Sequence, residues 1–495
     1  MPAITYADFS GGLDRRLPIN VQEASRLWVL RNAYITLGKR VQKRPAIDIV
    51  SNSLTGSVGL KVVNDRLTVF TAKASGFTPP PGVSKIELDL YNPYGIGYAQ
   101  LTDVVYAEQF QGFPYVVGYY FTKFTGAFGI PRDGYVYRHS YVDGSPSTLI
   151  TDSNCPHTGS VTKAASRIFS IADEVVRYCA AGAARDWTTA SDAGFLPTSL
   201  QQDTSTGARA VGGYADKLVV FFAENAQIWT VAVDPSANTF VKRIDGVGCE
   251  LPQSLANFAN DLMFLSPFGF RSMTQQAQTD RIDDNDVGVA IDKLVVPDIN
   301  AALPAAGVAT QVFGQWIPQL GQYWAIFNMG AYSKAWVYTY SRSSKIACWS
   351  EYTFPVIITA ATTLRGAVYV RTAGELYKLT AEVFVDQLQS GSGDTPIPVE
   401  IQMAFQDAKQ PGVAKQFFGA DYVVQGSPSV SFKYDPRDLD KEGVSMTIPG
   451  DTRPGEVQGV EMVCSSIAPV FRHAADEDFS LSAMSLYYNS LGLTR

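Results

Sequence analysis

The stretch KLVVFFAENAQIWTV, residues 217–231, reads as two strands folded on a polar turn. β-Branched and aromatic residues fill both limbs, and Glu224 and Asn225 stand at the bend between them. Six other stretches repeat the plan: RLTVFT from Arg66, PYVVGYYF from Pro114, RIFSIA from Arg167, DLMFLSPFGFRSM from Asp261, QYWAIFNMGAYSKAWVYTY from Gln322 and GAVYVRTAGELYKL from Gly366. In chain order the seven start 48, 53, 50, 44, 61 and 44 residues apart. Four-stranded propeller blades recur at about 40–50 residues, and a blade that cannot bury both faces alone must stack radially on its neighbours. The spacing therefore predicts an all-β protein whose residues 59–388 form a β-propeller of six or seven blades. A stack of ordinary sandwiches is the competing arrangement.

Beyond the repeats the pattern changes. QSGSGDT, residues 389–395, has the composition of a flexible joint. Longer strands follow it, among them SVSFKYD and FSLSAMSLYY, which alternate apolar and polar residues. Residues 396–495 are accordingly expected to form a C-terminal antiparallel β-sandwich. Helix signals are few, and the best candidate is DKLVVPDINAALPAA near residue 300, kept short by Pro297 and Pro304. At the other end, residues 1–50 carry eight basic and four acidic side chains, +4, which leaves −11 for the rest of a chain whose net charge is −7. Residues 1–58 thus read as a basic N-terminal arm on an acidic body. Within it Arg31, Lys39, Arg40, Lys43 and Arg44 are the candidates for docking, against an acidic protein in preference to DNA phosphates. The alternative is a solvated strand face flanking Val41.

Composition agrees with strands and turns: 12% aromatic, 18% charged, 41 Gly and 27 Pro in 495 residues. A net charge of −7 argues against wrapping nucleic acid over a basic surface. Cys155, Cys179, Cys249, Cys348 and Cys464 are scattered with no C-x-x-C pair, which suits folding in a reducing cytoplasm. No basic and apolar leader opens the chain and no apolar run nears the ~20 residues of a membrane span, so a soluble, unexported product is expected.

Catalytic and metal chemistry finds little support. His139, His157 and His473 lie far apart, and no nucleophile elbow or phosphate-binding loop occurs. Gly95, Gly97, Gly126 and Gly129 read as turn residues among aromatics. Asp280, Asp283, Asp284 and Asp286 lack the ligand spacing of a calcium loop and read as a solvated turn. No cofactor is expected, and no enzymatic role.

Residues 9–47, FSGGLDRRLPINVQEASRLWVLRNAYITLGKRVQKRPAI, carry Leu17-Pro18-Ile19-Asn20, Leu30-Arg31-Asn32-Ala33-Tyr34 and Lys43-Arg44-Pro45 in that order. Further on, Ile228-Trp229 closes one hairpin, and Phe264, Leu265, Ser266, Gly269 and Arg271 mark the next. The set resembles the tail nozzle family of short-tailed bacteriophages, also called tail tubular protein B, tail hub or packaged-DNA stabilisation protein. Ala46 stands where that family has Gly. The resemblance implies a structural virion protein, a propeller subunit forming a hexameric ring below the portal and its adaptor. It implies tail fibres or spikes as further partners, and viral double-stranded DNA that is held and then conducted through the ring without sequence specificity. The alternatives are a tail-associated polysaccharide-degrading enzyme and a fibre-attachment adaptor. A conduit should bind phosphates weakly, so part of the acidic body is expected to face the lumen, where repulsion acts within about 8–10 Å.

Overall fold

The structure, a computed structural model, describes residues 2–91, 98–125, 131–202, 207–249, 251–258, 260–279, 286–302, 312–388, 394–450, 452 and 454–493. Gly95, Gly97, Gly126, Gly129, Asp280, Asp283, Asp284, Pro304 and most of the 389–395 joint lie outside them.

Seven separate sheets follow one another between residues 46 and 380. Each of the seven repeat starts read from the sequence falls at or beside the second strand of a successive sheet. These strands are Arg66–Ala72, Phe113–Thr125, Arg167–Ala172, Lys217–Phe221, Asp261–Ser266, Gln322–Asn328 and Ala367–Arg371. The regularity has a local cause. Tight turns in the left-handed region precede these strands: Asn64 and Asp65 at φ 50° and 58°, Gln111 and Gly112 at 47° and 86°, Arg365 and Gly366 at 49° and 84°. Two successive positive φ values match the twist of a hairpin and bring the second strand back at once on the first.

The first strands of all seven sheets meet around one central cavity of about 240 Å³, touched by Lys61, Asp103, Thr162, Gly212, Asn257, Gly314 and Ala361 in turn. That convergence is the radial arrangement, and the molecule is a seven-bladed β-propeller. Blade 7, Ala360–Leu364, Ala367–Arg371 and Leu376–Thr380, takes its outer strand, Ala46–Ser51, from the N-terminal side of the ring. A strand from one end of the ring thus closes the blade at the other, and the propeller begins at Ala46, before the expected residue 59.

The N-terminal arm is woven into the body. Ala3–Tyr6, Ala33–Ile35 and Val41–Lys43 join a sheet with Val413–Gln425, Gln458–Cys464 and Ser480–Leu493. Gly12–Leu13 and Arg26–Arg31 lie between the last strand of blade 6, Ile346–Phe354, and Val399–Met403. Blade 6 and the second sheet of the C-terminal sandwich are therefore one ten-stranded sheet, bridged by the arm. The sandwich closes over Leu27, Leu30, Ile401, Phe417, Phe471 and Leu486, all at most 1% exposed. The expected helix is present as Asp292–Ala301, with Pro297 inside it. Among the described residues no helix is long and apolar enough to cross a membrane.

Candidate functional site

The arm's cations decide what this face of the molecule can do. Arg44 is buried. Its guanidinium donates to both carboxylate oxygens of Asp386 at 3.0 and 2.6 Å, to the Thr353 carbonyl at 2.8 Å and to Asn32 Oδ1 at 3.1 Å, and it stands 4.5 Å over the Phe354 ring. Asp386 also accepts from the Ile47 amide at 3.1 Å. Asn32, at φ 53°, donates Nδ2 to Thr353 Oγ1 and to the Pro398 carbonyl. This node joins the arm, blades 6 and 7 and the entry to the sandwich. Lys43 is also buried, its Nζ donating to the carbonyls of Ala475 at 2.9 Å and Glu477 at 3.2 Å, and burial pulls its pKa down to about 8. Lys43 and Arg44 therefore face inward. As docking residues they are corrected by their own burial, because two internal oxygen sets already hold them.

Arg31 is half exposed and bridges domains. Pairing on both sides puts it opposite Glu351 of blade 6 and Glu400 of the sandwich, and it donates to them at 3.2 and 3.1 Å. The alternation continues in both directions. Lys334 meets Asp298 at 2.8 Å and Glu351 at 3.7 Å, while Arg472 meets Glu400 at 3.4 Å and binds Glu442. Arg472 holds the Glu442 carboxyl down at about 2. Lys39 is paired with Asp8 at 2.8 Å, which leaves Arg40 as the exposed cation at the tip of the hairpin that follows Ala33–Ile35. Asp14, Asn32 and Asp386 complete these clusters, and none of them is among the docking residues expected from the sequence. Asp14 is 2% exposed and collects Arg16 and Arg26.

The described acids of the central cavity and the buried Asp286 are engaged by neighbouring groups. In the central cavity Glu108 accepts the Tyr106 hydroxyl at 2.5 Å and pairs with Lys163 at 2.7 Å. Asp103 accepts the Val104 amide at 2.8 Å, and burial lowers the pKa of Lys61. Asp286, the described member of the acidic stretch, is buried against Arg271 and Gln276 and not solvated as expected. Desolvation pushes its carboxyl up to about 6, and it lines a separate cavity of about 130 Å³ with Asp14 and Trp349. His139 takes the Tyr115 hydroxyl on Nδ1 at 2.7 Å and meets the Thr158 carbonyl through Nε2 at 2.9 Å; burial lowers it to about 4, which keeps it neutral. His157 contacts Arg138, and His473 stacks on Phe479 and meets Glu477 at 3.2 Å. Among the described residues no group of three His, Cys, Asp or Glu side chains is arranged to hold a metal. Four of the five cysteines, Cys155, Cys179, Cys249 and Cys348, are buried.

No family model and no curated protein matches the chain. Similar solved structures include the WD40 domain of Neurospora crassa Pan2, at 10% identity and a TM-score of 0.32 over 58% of this chain and 90% of that one. BamB from Moraxella catarrhalis is similar at 9% identity and a TM-score of 0.30 over 68% and 98%. Kluyveromyces lactis Hsv2 is similar at 9% identity and a TM-score of 0.27 over 50% and 72%. The propeller assignment rests on the seven sheets themselves.

Proposed function

We propose that this chain is an inert structural subunit of a short phage tail, the nozzle or hub, which forms a six-membered ring below the portal and its adaptor. The observation that carries the reading is the ten-stranded sheet. It runs without a break from blade 6 through the arm into the sandwich, so propeller and sandwich are fastened as one stiff piece of wall. A wall of this kind gives few free edges for aggregation and needs no reacting side chains. The seven first strands converge on a central cavity of only about 240 Å³, so in this reading DNA does not use the propeller's own axis. A conduit then requires several copies around a shared axis, with the acidic surfaces of the body turned toward it and the fibres or spikes mounted outside. In this reading the protein folds in the host cytoplasm and resides in the virion tail.

Electron cryo-microscopy of the assembled particle tests it: density for this chain is expected as a ring around the exit channel. Absence of the chain from particles would overturn the reading. So would glycan cleavage by the purified protein that is lost on changing Asp103 and Glu108.

A further inference from the structure

The first sheet of the sandwich ends in two unlike edges. At one edge lies Gln458–Cys464, seven residues with no Pro or Lys and no further strand paired to it among the described residues. Its inward Val460 is 1% exposed, whereas Val457 and Val463 are 51% and 61% exposed, with Glu461 outward between them. A strand edge with unpaired backbone groups is a template for another chain, and here Glu461 is the one charge the strand carries. At the opposite end of the same sheet is the hairpin between Ala33–Ile35 and Val41–Lys43. Its tip exposes Leu37 at 64% together with Arg40, while the neighbouring Lys39 is already held by Asp8.

We infer that these two ends are the halves of one head-to-tail contact between copies of this chain. Leu37 of one copy packs on Val457 and Val463 of the next, and Arg40 pairs with Glu461. The edge is acidic and apolar, the tip basic and apolar, so the two surfaces complement each other and neither complements itself. A contact between different patches is heterologous, and repetition closes it into a ring when the rotation permits. The inference deepens the ring reading above and rests on it.

The test is a charge exchange in the full-length protein, followed by native mass measurement over a concentration series. Arg40→Glu and Glu461→Arg, each exposed and each checked for an unchanged melting temperature, are expected to weaken association at least about tenfold. The double variant R40E/E461R is expected to return to within about threefold of the wild type. Val463→Lys, which places a guard charge on the edge, is expected to give monomers. Singles that assemble like the wild type, a double variant that fails to recover, or a wild-type chain that stays monomeric throughout would each overturn the contact. Failure of the contact is distinguishable from failure of the ring. A ring seen in particles with its subunit contacts elsewhere removes only this pairing, whereas absence of the chain from particles removes the ring reading itself.

Discussion

The propeller and the sandwich are built by opposite rules. Each blade is assembled from neighbours in sequence, its first two strands joined by a turn of two to four residues, and only the outer strand of blade 7 comes from elsewhere. The sandwich draws strands from both ends of the chain, so Arg31 meets Glu400 across 369 residues and Arg44 meets Asp386 across 342. Local closure makes a blade tolerant of what happens far away. Remote closure makes the sandwich hostage to the arm, and the arm in turn carries the joint between the two domains.

Removing residues 1–45 should break this comparison most sharply. The deletion takes Ile4, Tyr6, Leu13, Leu27, Leu30 and Val41 out of the sandwich core but leaves Ala46–Ser51 in blade 7. At about 1.5–3 kcal/mol for each buried side chain, the loss approaches or exceeds the ~5–15 kcal/mol that hold an ordinary domain. Limited proteolysis with mass analysis is expected to return a resistant propeller and a digested C-terminal region. A C-terminal region as resistant as in the whole chain would show that the sandwich stands without its borrowed strands.

The same contrast explains what was legible in the sequence. The seven repeat starts located seven blades because a hairpin advertises itself locally, through Asn64-Asp65 or Arg365-Gly366 before a run of β-formers. The alternation in FSLSAMSLYY found the long final strand for the same reason. The arm's true course left no such trace. Ala3–Tyr6 and Val41–Lys43 are three or four residues long, and the strand that both join, Ser480–Leu493, lies more than four hundred residues away. Lys43 and Arg44 read as a basic run because charge is visible in sequence while burial is not. Asp386, the acid that takes Arg44 inside, sits in EVFVDQLQS with nothing nearby to mark it.

Arg44→Ala should have the next largest effect, since it strands Asp386, itself 1% exposed, beside the joint. Leaving one member of a buried pair alone costs about 3–5 kcal/mol. Urea unfolding should show that loss, with both domains destabilised together because the node touches each. Replacing the pair by Met and Leu, R44M/D386L, should recover most of it, because apolar side chains leave no buried charge. A loss below about 1 kcal/mol for Arg44→Ala would mean that water reaches the node.

Asp286 probes the ground between arm and propeller. Its neighbours are Arg271, Gln276 and Asp292 on its own side and Asp14 with Arg16 across the small cavity. Burial raises its carboxyl from 3.8 to about 6, so the folded state holds this proton more tightly than the unfolded chain does. The stabilisation it gives is complete below about pH 4 and is lost as pH rises through 6. Asp286→Asn cannot titrate. Its stability relative to the wild type should therefore rise between pH 4 and pH 7, by on the order of 2 kcal/mol. A difference flat across that range in paired denaturation curves would place the proton elsewhere.

Arg31 gives the smallest expected effect and the finest discrimination. It sits 42% exposed at the centre of the charge ladder from Lys334 to Glu442, where water and salt screen each pair. Such pairs are worth about 0.2–1 kcal/mol apiece, so Arg31→Ala should cost no more than about 1–2 kcal/mol at low salt. That cost should shrink in 1 M salt, where the screening length falls to about 3 Å. The Arg44 node is shielded from solvent, so the Arg44→Ala loss should barely change over the same range. If both losses fall together with salt, the joint is an electrostatic hinge between two bodies. If only the Arg31 loss falls, the continuous sheet and its buried node fix the geometry, and the exposed ladder merely sets the register of the strands it crosses.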